Sequence, residues 1–326
     1  MPPFIPPEFD RELHAALDSS HIAPTITAEM IPALRLESAG GQSTDEFLAE
    51  TGLTRHDVVI DGHQGDQIVV SVIKAKAHTG FGPGILNIHG GGMITGTRFD
   101  GLEQVAPWIV TYGAVVVTVE YRLAPEFPDP YPVEDCYAAL HWTADNAANL
   151  GIDSKRLLIM GGSAGGGLAA GTTLLARDRR GPVLTGQVLL CPMIDDRDLT
   201  ISAHQIDGIG VWDRGSNRVG WDALLGSRCG SDDVSIYAAP ARASDLSGLP
   251  PTYIDVGSAE VFRDEVISYA SRIWEAGGSA ELHVWSGGFH GFEVIAPQAA
   301  VTRASVAARN SWVDRLLRGN VAESAG

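Results

Sequence analysis

The chain has 326 residues, of which 44% are hydrophobic and 19% are charged. This composition supplies a large apolar core and excludes a disordered chain. The formal net charge of −17 argues against a nucleic-acid or anionic-membrane partner, because both kinds of partner bind basic patches.

The N-terminus and the cysteines indicate the compartment. No basic region precedes an apolar stretch at the start of the sequence, and no apolar run reaches the ~18 residues of a membrane span. The three cysteines are too widely spaced for a disulfide framework or a zinc motif. We therefore expect a cytoplasmic chain without a metal or an organic cofactor.

Eight short apolar segments rich in β-branched residues predict eight strands. The first two alternate between apolar and polar residues, which is typical of exposed antiparallel edge strands. The later segments are continuously apolar, as in strands that are covered on both faces. The segments begin at residues 57, 67, 84, 114, 156, 186, 251 and 280.

Helical patterns separate the later strands. Residues 132–151 begin at a proline and end at Gly151, which matches the residue preferences of helix starts and ends. Two further helices are predicted to begin at Ser163 and to run into Gly277. The alternation of strand and helix predicts an α/β fold with a mostly parallel eight-stranded sheet flanked by helices.

Two regions depart from this alternation, residues 1–50 and residues 194–245. The N-terminal region is helical or loop-like, and residues 194–245 have the character of an insertion. We predict that they pack together as a helical cap over a core formed by residues 51–193 and 246–326. The large side chains of the insertion that we expect to be exposed are Val211, Trp212 and Trp221.

The sequence GGSAG at residues 161–165 matches the pattern G-x-S-x-G. It lies between an apolar strand and a helical stretch, which is the setting of a nucleophilic serine on a tight turn. A phosphate-binding loop is a poorer match, because no lysine or arginine follows these glycines until Arg177. The run also fails the G-x-G-x-x-G pattern of dinucleotide sites. We therefore predict that Ser163 is a nucleophile.

A nucleophilic serine requires a base that is oriented by an acid. When the nucleophilic serine lies on a strand-to-helix turn of this kind, the acid follows it in the chain and the histidine follows the acid. His290 lies in a glycine-lined loop after the last strand, whereas His283 lies inside that strand. We predict His290 as the base.

The acid is expected after the strand at residues 251–257. Four carboxylates are candidates, and two of them fit the first turn of a helix better than a site. Glu260 lies in the loop and is our choice; Asp264 is the alternative. The four candidates are Asp255, Glu260, Asp264 and Glu265.

An oxyanion requires backbone donors that are already in place. The sequence HGGG at residues 89–92 directly follows an apolar strand, and its glycines let the amides turn toward a substrate. The amide of Ala164, the residue after the nucleophile, adds a donor. We expect His89 and Gly90 to support the loop.

The chain resembles the hormone-sensitive-lipase-like esterases, a bacterial branch of the α/β-hydrolases. The motifs that carry the resemblance are spread over nearly the whole chain. Residues 235–255 are most similar to members that act on acetyl esters of bulky alcohols. The matching stretches are HGGG (89–92), EYRLAPE (120–126), GGSAGGGLAAG (161–171), RDE (263–265) and FHGF (289–292).

The resemblance implies the α/β-hydrolase fold with a helical cap, and often a homodimer. It implies Ser163 as nucleophile, His290 as base and an acid at Glu260. It also implies that the amides of Gly91, Gly92 and Ala164 bind the oxyanion. The final strand would lie at a sheet edge, where its unpaired backbone groups could pair across a two-fold axis.

The chain departs from the family pattern at two places. The family usually has aspartate immediately before the serine, where this chain has Gly162. The usual acid motif DPL reads EVF here, so that Glu260 replaces aspartate and Val261 replaces proline.

These motifs predict a carboxylesterase for short acyl chains, from acetyl to about hexanoyl, acting on a small-molecule ester. An amidase or a lactonase with the same triad is an alternative. A non-catalytic receptor is another alternative, because plant gibberellin receptors resemble this family but lack the histidine; the presence of His290 argues against it. The residues expected to contact substrate are Val211, Trp212 and Phe292.

Overall fold

The structure is a computed structural model that describes residues 4–39 and 44–323. A single eight-stranded sheet organises the described chain. The strands are β1 (Leu53–Asp61), β2 (Gln67–Ala75), β3 (Gly82–Ile88), β4 (Val115–Glu120), β5 (Ile152–Gly162), β6 (Gly186–Leu190), β7 (Thr252–Gly257) and β8 (Ala280–Trp285).

The strand order across the sheet is β1-β2-β4-β3-β5-β6-β7-β8. β2 pairs antiparallel with both β1 and β4, and the pairs from β4 through β8 are parallel. Every residue of β3, β6 and β7 is buried, as the continuously apolar segments predict. The predicted eight-stranded, mostly parallel α/β fold is confirmed.

Helices cover both faces of the sheet. α5, α7 and α10 contribute to the larger apolar core on one face, and α4 and α12 pack on the other face. The helices are α1 (Arg11–Ser20), α2 (Ile31–Ala39), α3 (Thr44–Glu50), α4 (Leu102–Tyr112), α5 (Tyr131–Asp145), α6 (Ala147–Leu150), α7 (Ala164–Asp178), α8 (Ile201–Gln205), α9 (Arg214–Leu225), α10 (Arg263–Glu275), α11 (Phe292–Ile295) and α12 (Ala300–Glu323).

The prediction that the first two strands both lie at an edge is wrong for β2. β1 is the edge strand, whereas β2 lies between β1 and β4. Its central residues are buried: Val70 and Val72 pack in the core on one face of the sheet, and Ile73 packs in the core on the other. The polar residue Ser71 at the centre of β2 makes the sequence look like an alternation of apolar and polar residues. Such an alternation predicts one exposed face, although both faces of β2 are covered.

The helix predicted for residues 132–151 is two helices in the structure. α5 ends before Asn146, whose side-chain amide donates to the carbonyl of Trp142, and α6 follows directly. An asparagine side chain that bonds to the preceding turn competes with the helical backbone. The chain then leaves α6 at Gly151, which has the left-handed conformation that favours glycine.

The N-terminal segment and the insertion after β6 contact each other. Thr25 donates a hydrogen bond to the carboxylate of Asp213 (2.6 Å), and the amide of Ile26 donates to Ser216 Oγ (2.8 Å). α1 packs against α11, the helix that follows the loop of His290. The two segments therefore lie together beside the carboxyl ends of the parallel strands.

The tryptophans of the insertion are not exposed as their sequence context suggests. Trp212 is buried, Trp221 is fully buried, and Val211 is half-buried. Residues of the N-terminal segment line one cavity with Val211 and Trp212, and these contacts are distant in sequence. Within the described ranges, no helix combines the length and apolar character that crossing a membrane requires.

Candidate active site

Ser163 lies at the sharp turn between β5 and α7. Its φ is positive (φ 56°, ψ −125°), a backbone conformation that non-glycine residues adopt at a cost. The turn leaves no room for side chains at Gly161 and Gly165. A Cβ at Gly161 would lie 2.1 Å from the carbonyl oxygen of Gly165, and a Cβ at Gly165 would lie 2.1 Å from that of Ile88.

His290 lies in the loop between β8 and α11 and contacts the serine. The Ser163 hydroxyl donates to Nε2 of His290 over 2.9 Å. The imidazole is buried and meets the edge of the Phe262 ring at a centroid distance of 5.2 Å. The structure therefore brings together two residues that lie 127 positions apart in the sequence.

Glu260 lies on the other side of the imidazole. Nδ1–H of His290 donates to Oε1 of Glu260 over 2.6 Å, and Oε2 accepts a hydrogen bond from the amide of Gly257 (3.0 Å). The carboxylate is 1% exposed. A carboxylate on Nδ1 fixes the tautomer in which Nε2 accepts the serine proton.

The other candidate acids are bonded elsewhere. Asp264 accepts from the amide of Ser202 and from Arg263, and Glu265 accepts from the amide of Ile194. Asp255 accepts from Tyr253 and Trp285. Of the four carboxylates considered, only Glu260 bonds to His290.

The glycine-rich loop after β3 lies beside Ser163. Gly91 and Gly92 have φ values of 98° and 62°, which favour glycine. The hydroxyl of Tyr121 donates to the carbonyls of His89 and Gly90, and its ring stacks on His89 at 4.1 Å. Burial lowers the pKa of His89, so this imidazole is neutral and stabilises the loop.

Three backbone amides lie near Ser163: Ala164 follows it in the chain, and Gly91 and Gly92 line a cavity together with it. The amides of Gly91 and Gly92 donate to no acceptor within the described part of the chain. Ala164 is the first residue of α7, so its amide has no acceptor inside the helix. Within the described residues, none of these three amides has an acceptor.

Two cavities meet at Ser163 and His290. The inner cavity, of about 220 Å³, extends along the face of the sheet that carries α4 and is lined by Asn87, Gly162, Leu190, Asp255 and Phe292, among others. The outer cavity, of about 540 Å³, lies under the N-terminal segment and is lined by Ile22, Met30, Leu34, Val211 and Trp212, among others.

Sequence reasoning missed the outer cavity's N-terminal residues and the inner cavity's Asn87. The former lie in short irregular segments without a motif, and the latter lies inside a buried strand. The three residues predicted to contact substrate do line cavities: Phe292 lines the inner one, and Val211 and Trp212 line the outer one.

Cys191, Glu260 and His290 place one potential metal-ligand atom each within 4.8 Å of one another, a grouping found within the described residues. Burial, followed by the carboxylates of Glu260 and Asp255, raises the pKa of the Cys191 thiol. A protonated thiol is a poor metal ligand, and the other two side chains are bonded to each other. The donor set fits a hydrogen-bonded acid and base better than a metal centre.

Asp255 gives the fold a specific pH dependence. Burial, together with the Glu293 carboxylate, raises the pKa of Asp255 to about 7, whereas the pKa of an unfolded aspartate is about 3.9. Between these values the folded state holds a proton that the unfolded state releases. This carboxyl group therefore lowers stability progressively as the pH rises from about 4 to about 7.

We expect Asp255→Asn to remove this contribution while retaining an oxygen for Tyr253 and Trp285. The free energy of unfolding of the variant, relative to the parent, should increase by about 2 to 3 kcal/mol between pH 5 and pH 8. Urea unfolding of both proteins at the two pH values measures this difference. Parallel pH dependence of the two proteins would contradict the prediction.

Comparison with known proteins gives the family. A family model described as the alpha/beta hydrolase fold matches residues 85–294. The chain is 34% identical over 305 residues to carboxylesterase NlhH of Mycobacterium tuberculosis, covering 90% of this chain and 92% of that one. It is 33% identical to esterase LipI of the same organism, over 70% of this chain and 72% of that one.

Solved structures agree. The structure of a bacterial heroin esterase matches with a TM-score of 0.85 at 37% identity, covering 95% of this chain and 98% of that one. Esterase LipW from Mycobacterium marinum matches with a TM-score of 0.85 at 30% identity, covering 96% and 98%. The chain therefore belongs to the α/β-hydrolases, in the hormone-sensitive-lipase-like branch of carboxylic ester hydrolases.

Proposed function

We propose that the protein hydrolyses small-molecule esters of short acyl chains, from acetyl to about hexanoyl, through an acyl-enzyme. The observation that carries this proposal is the hydrogen-bonded series Ser163–His290–Glu260 next to three free backbone amides. This arrangement supports the proposal, because acyl transfer needs a nucleophile activated by a base and donors for the developing oxyanion.

In acylation, Oγ of Ser163 attacks the ester carbonyl carbon while its proton moves to Nε2 of His290. Negative charge develops on the carbonyl oxygen, and the amides of Gly91, Gly92 and Ala164 stabilise it. Glu260 stabilises the imidazolium. The tetrahedral intermediate then collapses, its bond to the alcohol oxygen breaks, and the imidazolium gives its proton to that oxygen.

In deacylation, water replaces the alcohol. His290 takes a proton from the water, whose oxygen attacks the acyl carbon of Ser163. The bond between that carbon and Oγ breaks, the proton returns to Oγ, and the carboxylic acid leaves. The same base and the same amides serve both halves of the reaction.

The two cavities suit the two halves of an ester. The alcohol leaves first, so it is best held in the outer cavity, which is the larger and lies under the N-terminal segment. The acyl group stays on Ser163 during deacylation and fits the inner cavity. In this proposal Val211 and Trp212 contact the alcohol part, and Phe292 contacts the acyl part.

The helical cap and the homodimer are also part of the proposal. Residues 1–50 and 194–245 would act as a helical cap over a catalytic core of residues 51–193 and 246–326. β8 lies at the edge of the sheet and leaves one side of its backbone unpaired within the described chain. Pairing of two β8 strands would give the homodimer.

The leaving group distinguishes an esterase from an amidase. Steady-state kinetics of the purified protein on p-nitrophenyl acetate and on p-nitroacetanilide, which share one acyl group, test this directly. We expect the kcat/KM value for the ester to exceed that for the anilide by far. Comparable values for the two substrates would favour an amidase and contradict the proposal.

Gly91→Ala tests the oxyanion loop. An alanine Cβ would lie 2.2 Å from the carbonyl oxygen of Thr95, at a residue with φ 98°, so the loop must move. Displacing one donor is expected to lower kcat by about 100-fold or more. The change is measured with p-nitrophenyl acetate on variant protein shown to be folded by circular dichroism.

Gly113→Ala is the matched control. Gly113 also has a positive φ, 63°, but a Cβ there would meet nothing within 4 Å. This variant should lose about 1 kcal/mol of stability from backbone strain and retain its kcat. Equal losses of kcat in the two variants would contradict a specific role for Gly91.

A further inference from the structure

Gly162, the residue before the nucleophile, has no side chain although the structure has space for one. Its φ lies outside the left-handed region, and a Cβ there would meet no atom closer than 3.9 Å. Gly161 and Gly165, by contrast, are required by close backbone contacts. The missing side chain at Gly162 therefore leaves open the part of the inner cavity that adjoins Ser163.

The side chain of Asn87 belongs to the same face of the sheet. Asn87 on β3 pairs with Met160 on β5, two residues before Gly162. Ile85 and Met160 pack in the core on the α4 face, so Asn87 and position 162 point to that face as well. Asn87 and position 162 are therefore diagonal neighbours across the parallel β3–β5 pair, and both residues line the inner cavity.

Asn87 has hydrogen-bonding capacity that the described protein does not use. The residue is 3% exposed, lines the inner cavity, and its amide nitrogen has no hydrogen-bond partner within the described residues. Leaving a buried donor unpaired costs free energy, so a ligand that accepts from it gains affinity.

The rest of the lining limits the chemistry of that ligand. Leu190 and Phe292 supply apolar side chains, which suit a hydrocarbon chain. Carboxyl groups, among them those of Glu260 and Glu293, line the cavity and no lysine or arginine among the described residues does, so the lining disfavours an anion. A neutral, mainly apolar group with one hydroxyl satisfies these constraints.

We propose that the inner cavity selects acyl groups that carry a hydroxyl, whose oxygen accepts a hydrogen bond from the Asn87 amide in the space left by Gly162. The inference rests on the proposed function, since it assigns the acyl half of the same ester. An acyl group with a methyl at that position leaves the amide unpaired and is the poorer substrate.

Two esters of nearly equal shape test the proposal. p-Nitrophenyl 3-hydroxybutyrate and p-nitrophenyl 3-methylbutyrate differ by a hydroxyl in place of a methyl group. With the unaltered protein, we expect the kcat/KM value for the hydroxylated ester to be higher by about tenfold or more. A ratio near one would overturn the proposal.

Two variants locate the origin of the preference. Asn87→Leu removes the donor at similar volume, and Gly162→Asp places a carboxylate in the cavity where it can pair with Asn87. Each is expected to bring the ratio of the two kcat/KM values close to one. The ratio is measured within one protein sample, so it does not depend on how much of a variant is folded.

An unchanged preference in folded Asn87→Leu would overturn the role of Asn87, and the Gly162→Asp variant provides the same test should Asn87→Leu not fold. The outcomes also separate the two proposals. Failure of the unaltered protein to hydrolyse p-nitrophenyl acetate would sink the proposed function. Hydrolysis of the acetate and of both longer esters, without preference for the hydroxyl, would sink only the further inference.

Discussion

Replacement of Ser163 by alanine is expected to lower kcat for p-nitrophenyl acetate by about 10⁴-fold or more, because no other group can form the acyl-enzyme. The hydroxyl of Ser163 is the group that bonds to Nε2 of His290 and adjoins both cavities. Residual turnover should come only from the free amides and the cavities. The burst of p-nitrophenolate measures acylation, and its steady-state release measures turnover limited by deacylation.

Ser154→Ala is the matched control, because Ser154 lies on the same strand but is exposed. Its kcat should stay within about twofold of the parent value. Diethyl p-nitrophenyl phosphate should label Ser163 in the parent and in the control, but label nothing in Ser163→Ala. Turnover retained by Ser163→Ala, or an adduct on another residue, would refute the proposed nucleophile.

The sheet could be predicted from the sequence because its signals are local. Continuous apolar segments such as residues 84–88 and 186–190 become strands buried on both faces, and glycines and prolines mark where chain segments end. Motifs that lie on the turns after such strands are then placed at the same edge of the sheet. The resemblance added the strand topology, which periodicity alone does not determine.

Contacts between distant segments could not be predicted in this way. Trp212 is buried because residues around 22 to 34 fold over the site, and no local pattern reports that covering. The unpaired amide of Asn87 and the open space at Gly162 lie on the neighbouring strands β3 and β5. The sequence predicts the types of group at the site, but the cavities arise from tertiary packing.

The choice between Glu260 and Asp264 is the point at which sequence reasoning left two alternatives and geometry favours one. Glu260→Gln is expected to lower kcat by about 10³- to 10⁴-fold while the protein stays folded. A glutamine can place its NH₂ group against Nδ1 of His290, which forces the proton onto Nε2. In that tautomer the imidazole cannot accept the proton of Ser163.

Asp264→Asn serves as the control, since the carboxylate of Asp264 bonds to the amide of Ser202 and to Arg263 rather than to His290. It should change the stability of the α8–α10 contact and leave kcat within about threefold of the parent value. Steady-state kinetics of both variants on one ester provide the comparison. A collapse of kcat in Asp264→Asn, with near-parental kcat in Glu260→Gln, would require the loop after β7 to rearrange during turnover and would assign the acid to Asp264. The single proton on Nδ1 of His290 is already donated to Glu260 over 2.6 Å, and the amide of Gly257 holds the other oxygen of that carboxylate. A second carboxylate could therefore bond to Nδ1 only after such a rearrangement.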